Sequence, residues 1–328
     1  MRKIFTFFLA LAASVGTIFA TEGALNGKFT VNADGDQIVF SKGNLQYKPS
    51  TGTWRFAESQ LTALGQVNTN ISVSTYDGWL DLFGWGTGDN PTNYSTNWQD
   101  YPTYREWGNH PIENGGNAAD LWYTLTKDEW DYIFCKRDNA ASLFGLGSVD
   151  GVSGLIILPD NWTNPDGITF QPSTSNGLTL NNDYFRNTGG KNFEHNQLLS
   201  GQWQAMEEKG AVFLPAAGYR WDNEVTMTDT DLGNLGHYWA ATPNDNWQGY
   251  ELYFDAYELS PQNKNSRIHG LAVRLVQSAE INTAGFEHVN HQSSIINHKF
   301  IKSGQLFIQQ GDKTYNVQGA RVKNRYNN

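Results

Sequence analysis

The chain has 328 residues and a formal net charge of −10, which argues against a nucleic-acid partner because phosphate backbones are bound by basic surfaces. Charged residues make up only 17% of the chain, whereas it contains 33 glycines and 12 tryptophans. This composition favours turns and loops over long surface helices, with large rings packing the core.

The N-terminus has the organisation of a secretory signal peptide. Arg2 and Lys3 precede an apolar run that extends from Ile4 to Ala20 and ends in small residues. An uncleaved membrane anchor is the alternative, but the run is at the lower limit of the length that spans a bilayer. We therefore expect residues 1–20 to be a signal peptide. The mature protein should be secreted or held at the outer-membrane surface, with no further membrane-spanning segment.

The predicted domain covers residues 21–277 and begins with two strand pairs. Asp34 and Asp36 lie in the turn of the first pair, but the later ligands of a calcium-binding loop are missing, so we expect a plain turn. The first pair is predicted over 29–31 and 37–41, the second over 44–47 and 53–56, and a short helix over 57–64.

A long segment without periodicity covers residues 82–116. Loops of this length in a compact domain are either functional or disordered. Disordered segments are poor in aromatic residues, whereas this one contains Trp85, Tyr94, Trp98, Tyr101, Tyr104 and Trp107. We therefore expect an ordered loop that is packed by its own side chains.

A helix is predicted over residues 127–137. Thr126 and Glu129 have the spacing of a capping box, in which each side chain accepts a hydrogen bond from the backbone of the other residue. Trp130, Ile133 and Phe134 follow at helical spacing and should face the core. Cys135, the only cysteine of the chain, lies in this helix, so no intrachain disulfide can form. We expect it to be a buried apolar side chain and not a nucleophile.

The second half of the domain is predicted to contain buried strands and one further helix. The helix covers residues 200–210, with Ser200 as its N-cap and Gly210 at the position that follows its C-terminus. The strands are predicted over 155–158, 211–215, 250–254 and 271–276.

The C-terminal part of the chain is separate from this domain. Residues 278–300 are polar and predict a linker, and residues 301–328 alternate like small strands about turns at Gly311-Asp312 and Gln318-Gly319. This tail resembles the ends of secreted Bacteroidota proteins and, in part, type IX sorting domains. Two interpretations follow: a sorting or anchoring segment, and a simple hairpin that closes the chain.

Four strings, in a fixed order, carry a resemblance to known families. They are LTKDEWDY at 125–132, FLPAAGYR at 213–220, GHYWAAT at 236–242 and GLAVRLV at 270–276. The first and last resemble the formylglycine-generating-enzyme (sulfatase-modifying-factor) family. The last three resemble the Fibrobacter/Bacteroides major paralogous domain group of secreted proteins. Both resemblances imply an α+β, C-type-lectin-like fold, with small antiparallel sheets, two main helices and long loops.

The chain departs from these families where their chemistry resides. The formylglycine-generating enzymes bind copper through a pair of cysteines, whereas Cys135 has no second cysteine to join it, so that oxidase chemistry is not expected. Calcium-dependent lectins of this fold use EPN or QPD loops and a WND strand, which residues 164–166 and 221–223 match only in part. We expect no cofactor, and calcium-dependent sugar binding is the minor alternative.

The resulting hypothesis is a non-enzymatic protein that binds a glycan or a surface protein. Rigid rings with asparagine and aspartate neighbours suit the faces and hydroxyl groups of sugars. One alternative is a hydrolase of surface polysaccharides, although the sequence cannot pair its carboxylates in space. Another is a structural or adhesive surface component. No catalytic residue or metal ligand is expected, and the candidate ligand-binding residues are Trp85, Trp98, Trp107, Trp221 and Trp247.

Overall fold

The computed structural model describes residues 22–225 and 234–279, together with four strands between residues 297 and 322. The predicted signal peptide, residues 1–20, lies outside the described residues, as does most of the predicted linker. The chain divides into two compact units, Met1–Gly285 and Phe286–Asn328. No helix in the described part of the chain is long and apolar enough to cross a bilayer.

The first unit is built from short strands and few helices. Its strands are β1 (Phe29–Thr30), β2 (Gln37–Phe40), β3 (Leu45–Lys48), β4 (Thr53–Phe56), β5 (Tyr123–Thr124), β6 (Phe144–Val149), β7 (Val152–Ile157), β8 (Thr179–Asn181), β9 (Tyr184–Arg186), β10 (Asn196–Leu198), β11 (Val212–Pro215), β12 (Arg220–Trp221), β13 (Glu224–Val225), β14 (Gly236–Pro243), β15 (Gln248–Phe254), β16 (Glu258–Ser266) and β17 (Leu275–Ser278). The α-helices are α1 (Lys127–Asp131) and α2 (Ser200–Glu208), and a π-helical segment, Tyr132–Lys136, continues α1. Short 3₁₀ helices cover Gly65–Ser72, Trp98–Asp100, Trp107–Asn109, Ala140–Ser142, Ser173–Asn176 and Asn192–Glu194.

These strands form small sheets of the α+β class. The sheet orders are β1-β2-β17-β5, β10-β6-β7-β11 and β14-β15-β16-β9-β8, with two-stranded pairs β3-β4 and β12-β13. Every pair is antiparallel except β10 with β6. Because β17 pairs with β2, the two ends of the domain meet in one sheet. The two strand pairs predicted between residues 29 and 56 are confirmed.

The five-stranded sheet has two chemically different faces. Tyr238, Leu252 and Phe254 alternate onto one face and join the main apolar core, which also includes Trp130 of α1. The opposite face of the same strands carries polar side chains, among them Glu251. This separation follows from the two-residue period of a strand. The polar side chains of this face are therefore held on the backbone of a five-stranded sheet.

The predicted capping box at α1 is confirmed. The backbone N–H of Glu129 donates to the hydroxyl of Thr126 at 3.3 Å, and the backbone N–H of Thr126 donates to the Glu129 carboxylate at 2.7 Å. Trp130, Ile133 and Phe134 are buried, as their spacing predicts. The predicted single helix changes to π geometry from Tyr132 onward.

The second helix, α2, begins differently from the prediction. Its N-cap is Leu199, not Ser200, because Asp150 accepts the backbone N–H of Ser200 at 3.0 Å and also accepts its hydroxyl. Asp150 lies in the turn between β6 and β7, so the cap comes from a distant part of the chain. The C-terminal end agrees with the prediction: Gly210 has a φ of +91°, which a glycine adopts without strain.

Two further predictions are wrong. The helix expected over 57–64 does not form, because side chains of this segment bond to the backbone instead. The hydroxyl of Ser59 accepts the N–H of Leu61, and the buried side chain of Gln60 accepts the N–H of Phe213 on β11 at 2.8 Å. The strand expected from residue 271 begins at Leu275. Before it, Arg274 is buried and donates to carbonyl oxygens of Ser41 and Phe213 and to the side chain of Asn44.

Cys135 is partly buried in the π-helical segment, and burial raises the pKa of its thiol to about 12. A thiol of this kind is a poor nucleophile at neutral pH. It lies in a mostly apolar groove of about 290 Å³, where its neighbours include Phe134, Leu178, Leu180 and Phe185.

The second unit contains one antiparallel sheet of order β18-β19-β20-β21. Its strands are β18 (Asn297–Lys302), β19 (Gln305–Gln310), β20 (Lys313–Asn316) and β21 (Arg321–Val322). The first strand begins four residues before the predicted start of the tail at 301. The two predicted turns, at 311–312 and 318–319, lie outside the described residues.

Candidate functional site

The five tryptophans predicted to bind ligand fall into two groups. Trp85 and Trp107 are 2% and 0% exposed, so neither can present a ring face to a ligand in this structure. Trp98, Trp221 and Trp247 are 43%, 54% and 49% exposed. The candidate surface is therefore reduced to these three residues, which we call the tryptophan surface.

Trp85 is buried because the interior of the molecule uses both its ring and its N–H. The indole Nε1 donates to the carbonyl oxygen of Ala240 on β14 at 3.0 Å. The guanidinium of Arg267 lies over the ring at 4.2 Å from its centroid. One face of the Trp85 ring is thus occupied by an arginine side chain, and the ring is not accessible to a sugar.

Trp107 belongs to an apolar cluster that includes Phe56 and Trp122. The ring of Tyr104 meets it edge-on, with centroids 5.6 Å apart. The neighbouring Glu106 accepts the N–H and the hydroxyl of Thr124 on β5, at 3.0 and 2.8 Å. The segment over 82–116 is therefore ordered, as expected, but its rings pack largely against residues outside it and not only against one another.

Arg267 joins two of the segments that carry exposed tryptophans. Its Nη1 donates to the carbonyl oxygen of Tyr101 at 3.0 Å, three residues beyond Trp98. Its Nη2 donates to the carbonyl oxygen of Asp245, and its backbone N–H donates to the carbonyl oxygen of Trp247 at 3.0 Å. The forked donors of one buried side chain therefore hold Trp98 and Trp247 on adjacent turns.

Arg220 makes the corresponding link to the third tryptophan. It is fully buried, and burial lowers the pKa of its guanidinium to about 10. Its Nη1 donates to the carbonyl oxygen of Asp222, and its Nη2 donates to that of Asn93 at 3.5 Å. Trp221 lies between Arg220 and Asp222, so this arginine connects Trp221 to the segment that carries Trp98.

Beside this surface, the polar face of the sheet carries a buried carboxylate. Glu251 on β15 is 0% exposed, and its Oε2 accepts a hydrogen bond from Nδ1 of His237 on β14 at 2.9 Å. Asn263 and Asn265 on β16 donate to the same carboxylate at 2.7 and 3.2 Å. The imidazole of His237 and the side-chain amides of Asn263 and Asn265 thus supply the hydrogen bonds that a buried carboxylate needs.

A chain of hydrogen bonds and ring contacts connects the Glu251 carboxylate to Trp221 of the tryptophan surface. Nδ1 of His269 donates to the amide oxygen of Asn265 at 2.6 Å. The rings of Tyr219 and Trp221 lie against His269, with centroids 5.3 and 5.8 Å away. Burial lowers the pKa of His269, so its imidazole is neutral at pH 7. With the proton on Nδ1, its Nε2 can accept a hydrogen bond.

Sequence analysis singled out neither His237 and His269 nor Glu251, to which His237 bonds directly and His269 through Asn265. The sequence did carry a usable signal. Glu251 is the one charged residue of the predicted strand 250–254, whose other residues are aromatic or aliphatic, and it lies on the opposite face from Leu252. Two buried arginines, Arg220 and Arg267, were also missed, since nothing local in sequence distinguishes them from surface arginines. Within the described ranges, no three His, Cys, Asp or Glu side chains lie close enough to hold a metal ion.

Comparisons of the chain with protein-family models, with curated proteins and with solved structures found no match.

Proposed function

We propose that this protein is exported and binds glycans through Trp98, Trp221 and Trp247, without catalysing a reaction on them. The observation that carries the proposal is that two buried arginines, Arg220 and Arg267, hydrogen-bond to the backbone of the segments that carry the three exposed tryptophans. Because the backbone of these tryptophans is already held in place, little backbone conformational entropy is lost when a ligand binds. The C-type-lectin-like architecture and the predicted signal peptide belong to the same proposal.

Indole faces suit the apolar C–H faces of pyranose rings, while their neighbours supply hydrogen bonds to hydroxyl groups. Asn223 and Asn246 are exposed and adjacent in sequence to Asp222 and Trp247. Next to Trp221, Nε2 of the neutral His269 imidazole adds a hydrogen-bond acceptor. The surface therefore combines stacking with directed polar contacts.

The arrangement of Glu251 supports a binding role over a hydrolytic one. A glycosidase needs two carboxyl groups that flank the scissile bond and reach the substrate. Glu251 has no exposed surface, and its oxygens are engaged by His237, Asn263 and Asn265. We assign it to holding the polar face together beneath Trp221.

The experiment uses the exported chain and an array of plant, algal, bacterial and host glycans, followed by calorimetry on the strongest ligand. Trp221→Ala and Trp247→Ala should each weaken binding by at least about tenfold, as is typical of aromatic hot spots. Tyr257→Ala is the matched control. Tyr257 is 53% exposed, like the tryptophans, but follows the end of β15 that is remote from Trp247.

Absence of glycan binding, or equal effects of the tryptophan and Tyr257 variants, would refute the proposal. Release of reducing sugar that a single carboxylate substitution abolishes would favour a hydrolase. Capture of one surface protein, lost in the tryptophan variants without any glycan hit, would favour a structural or adhesive component.

A further inference from the structure

The turns that carry the tryptophan surface are acidic. Asp100 closes the 3₁₀ helix that contains Trp98, Asp222 follows Trp221 directly, and Asp245 accepts the backbone N–H of Trp247 at 2.9 Å. Glu224 is exposed on the strand that pairs with Trp221. The carboxylates of Asp100 and Asp222 are both close enough to raise the pKa of the Tyr101 hydroxyl, so they share one neighbourhood.

Positive charge is missing from the same segments. Residues 89–104 and 221–263, which include all three exposed tryptophans, contain no lysine or arginine. The two arginines that touch these segments from the inside are Arg220 and Arg267, which are 0% and 5% exposed. Each guanidinium donates to three backbone carbonyl oxygens and is committed to the interior. Arg105, at the border of the first segment, faces the carboxylate of Asp89 at 3.6 Å.

Such a surface cannot pair with an anionic sugar. Proteins recognise carboxylate and sulfate groups with arginine or lysine side chains, most effectively in bidentate geometry. Here a uronic acid or a sulfate ester would approach several carboxylates within a Debye length, and the two segments that carry the exposed tryptophans offer it no lysine or arginine. Lys264, which follows the second segment, lies over the ring of Tyr250 at 5.7 Å. An uncharged sugar meets no such repulsion.

We infer that the tryptophan surface selects glycans without carboxylate or sulfate groups, an inference that rests on the proposed function. The acidic turns act as a specificity filter, since they reject anionic ligands that would stack equally well on the indoles. The filter is electrostatic and is therefore sensitive to salt.

The test compares oligosaccharide pairs that share one backbone and differ only in charge, such as xylo-oligosaccharides with and without glucuronic acid, and galactans with and without sulfate. Calorimetry at low salt should give a dissociation constant at least about tenfold weaker for the anionic member of each pair. At about 1 M salt, where the Debye length falls to about 3 Å, the ratio should approach one.

The double variant Asp222→Asn with Glu224→Gln should raise affinity for the anionic member and leave the uncharged member unchanged. Asn is suitable at 222 because this residue has a φ of +57°, a conformation that asparagine tolerates well. The control is Asp34→Asn with Asp183→Asn, which removes two exposed charges from other turns.

Equal or tighter binding of the anionic member at low salt, with Trp221→Ala still abolishing binding, would overturn the inference and leave the proposed function intact. An unchanged charge preference in the Asp222/Glu224 variant would also overturn it. Failure to bind either member of every pair would overturn both the inference and the proposed function.

Discussion

Arg267 stacks on Trp85 at 4.2 Å while its Nη1 donates to the backbone carbonyl oxygen of Tyr101 at 3.0 Å. A tryptophan predicted from sequence to bind ligand is therefore buried against an arginine. The exposed indoles Trp98 and Trp247 lie on turns attached to that arginine. The order and stability of the surface thus depend on a residue that meets no ligand.

Arg267→Lys should destabilise the domain and weaken glycan binding together. Lysine keeps the charge but lacks the fork that reaches the carbonyl oxygens of Tyr101, Gln248 and Asp245. Leaving buried acceptors unsatisfied should cost about 1–3 kcal/mol. Urea unfolding should show the loss, and limited proteolysis should show faster cleavage over residues 89–103.

Arg105→Lys is the matched control for this experiment, because Arg105 is exposed and its ion pair with Asp89 is open to solvent. Its effect on the free energy of unfolding should stay within about 0.5 kcal/mol. Similar losses in the two variants would contradict the anchoring role of Arg267.

Trp85→Ala and Trp221→Ala should separate stability from binding. Removal of the buried indole of Trp85 should lower the free energy of unfolding by about 3–5 kcal/mol, as for other large-to-small core substitutions. Removal of the exposed ring of Trp221 should change it by less than about 0.5 kcal/mol while glycan affinity falls. Denaturation of both variants beside calorimetry checks this, and a stability loss of Trp221→Ala equal to that of Trp85→Ala would contradict it.

Asp81 should make the stability of the domain depend on pH. It is fully buried, and burial raises the pKa of its carboxyl from 3.8 to about 6, although Asn68 and the N–H of Leu64 donate to it. The folded state therefore holds a proton that the unfolded state releases near pH 4. The stability contributed by that proton is complete below about pH 4 and is lost as pH rises through 6, an effect of at most about 3 kcal/mol.

Urea unfolding of the wild type and of Asp81→Asn between pH 4 and 7 measures this contribution. The decrease in stability with rising pH should be smaller in Asp81→Asn than in the wild type. Asp34→Asn, which alters an exposed carboxylate, should retain the wild-type profile. Parallel profiles for wild type and Asp81→Asn would contradict the assignment.

Asp150→Gly should cost about 1 kcal/mol, the usual value for the loss of a helix N-terminal cap. Asp150 has a φ of +46°, which glycine adopts easily, so the substitution removes the acceptor for Ser200 without adding backbone strain. Asn182→Gly is the control, since Asn182 also has a positive φ in an exposed turn but caps no helix. Thermal or urea unfolding should show a larger loss for Asp150→Gly than for Asn182→Gly.

The elements that the sequence predicted well are those stabilised by residues close together in the chain. The capping box of Thr126 and Glu129 needs contacts across three residues, and the turn before β2 is held by Asn32, which accepts the N–H groups of Asp34 and Asp36 at 3.1 Å. Gly210 ends α2 for an equally local reason. Strand periods and turn residues were sufficient to locate the two strand pairs between residues 29 and 56.

The sequence by itself determined the capping box at Thr126 and the turn before β2, because these features depend on neighbours within a few residues. Only the tertiary structure decided which tryptophans face solvent. Trp85 is buried because its indole bonds to Ala240, 155 residues away, and Glu251 is satisfied by side chains from the two neighbouring strands. Burial and hydrogen-bond satisfaction are properties of the packed chain, so residues distant in sequence set them together.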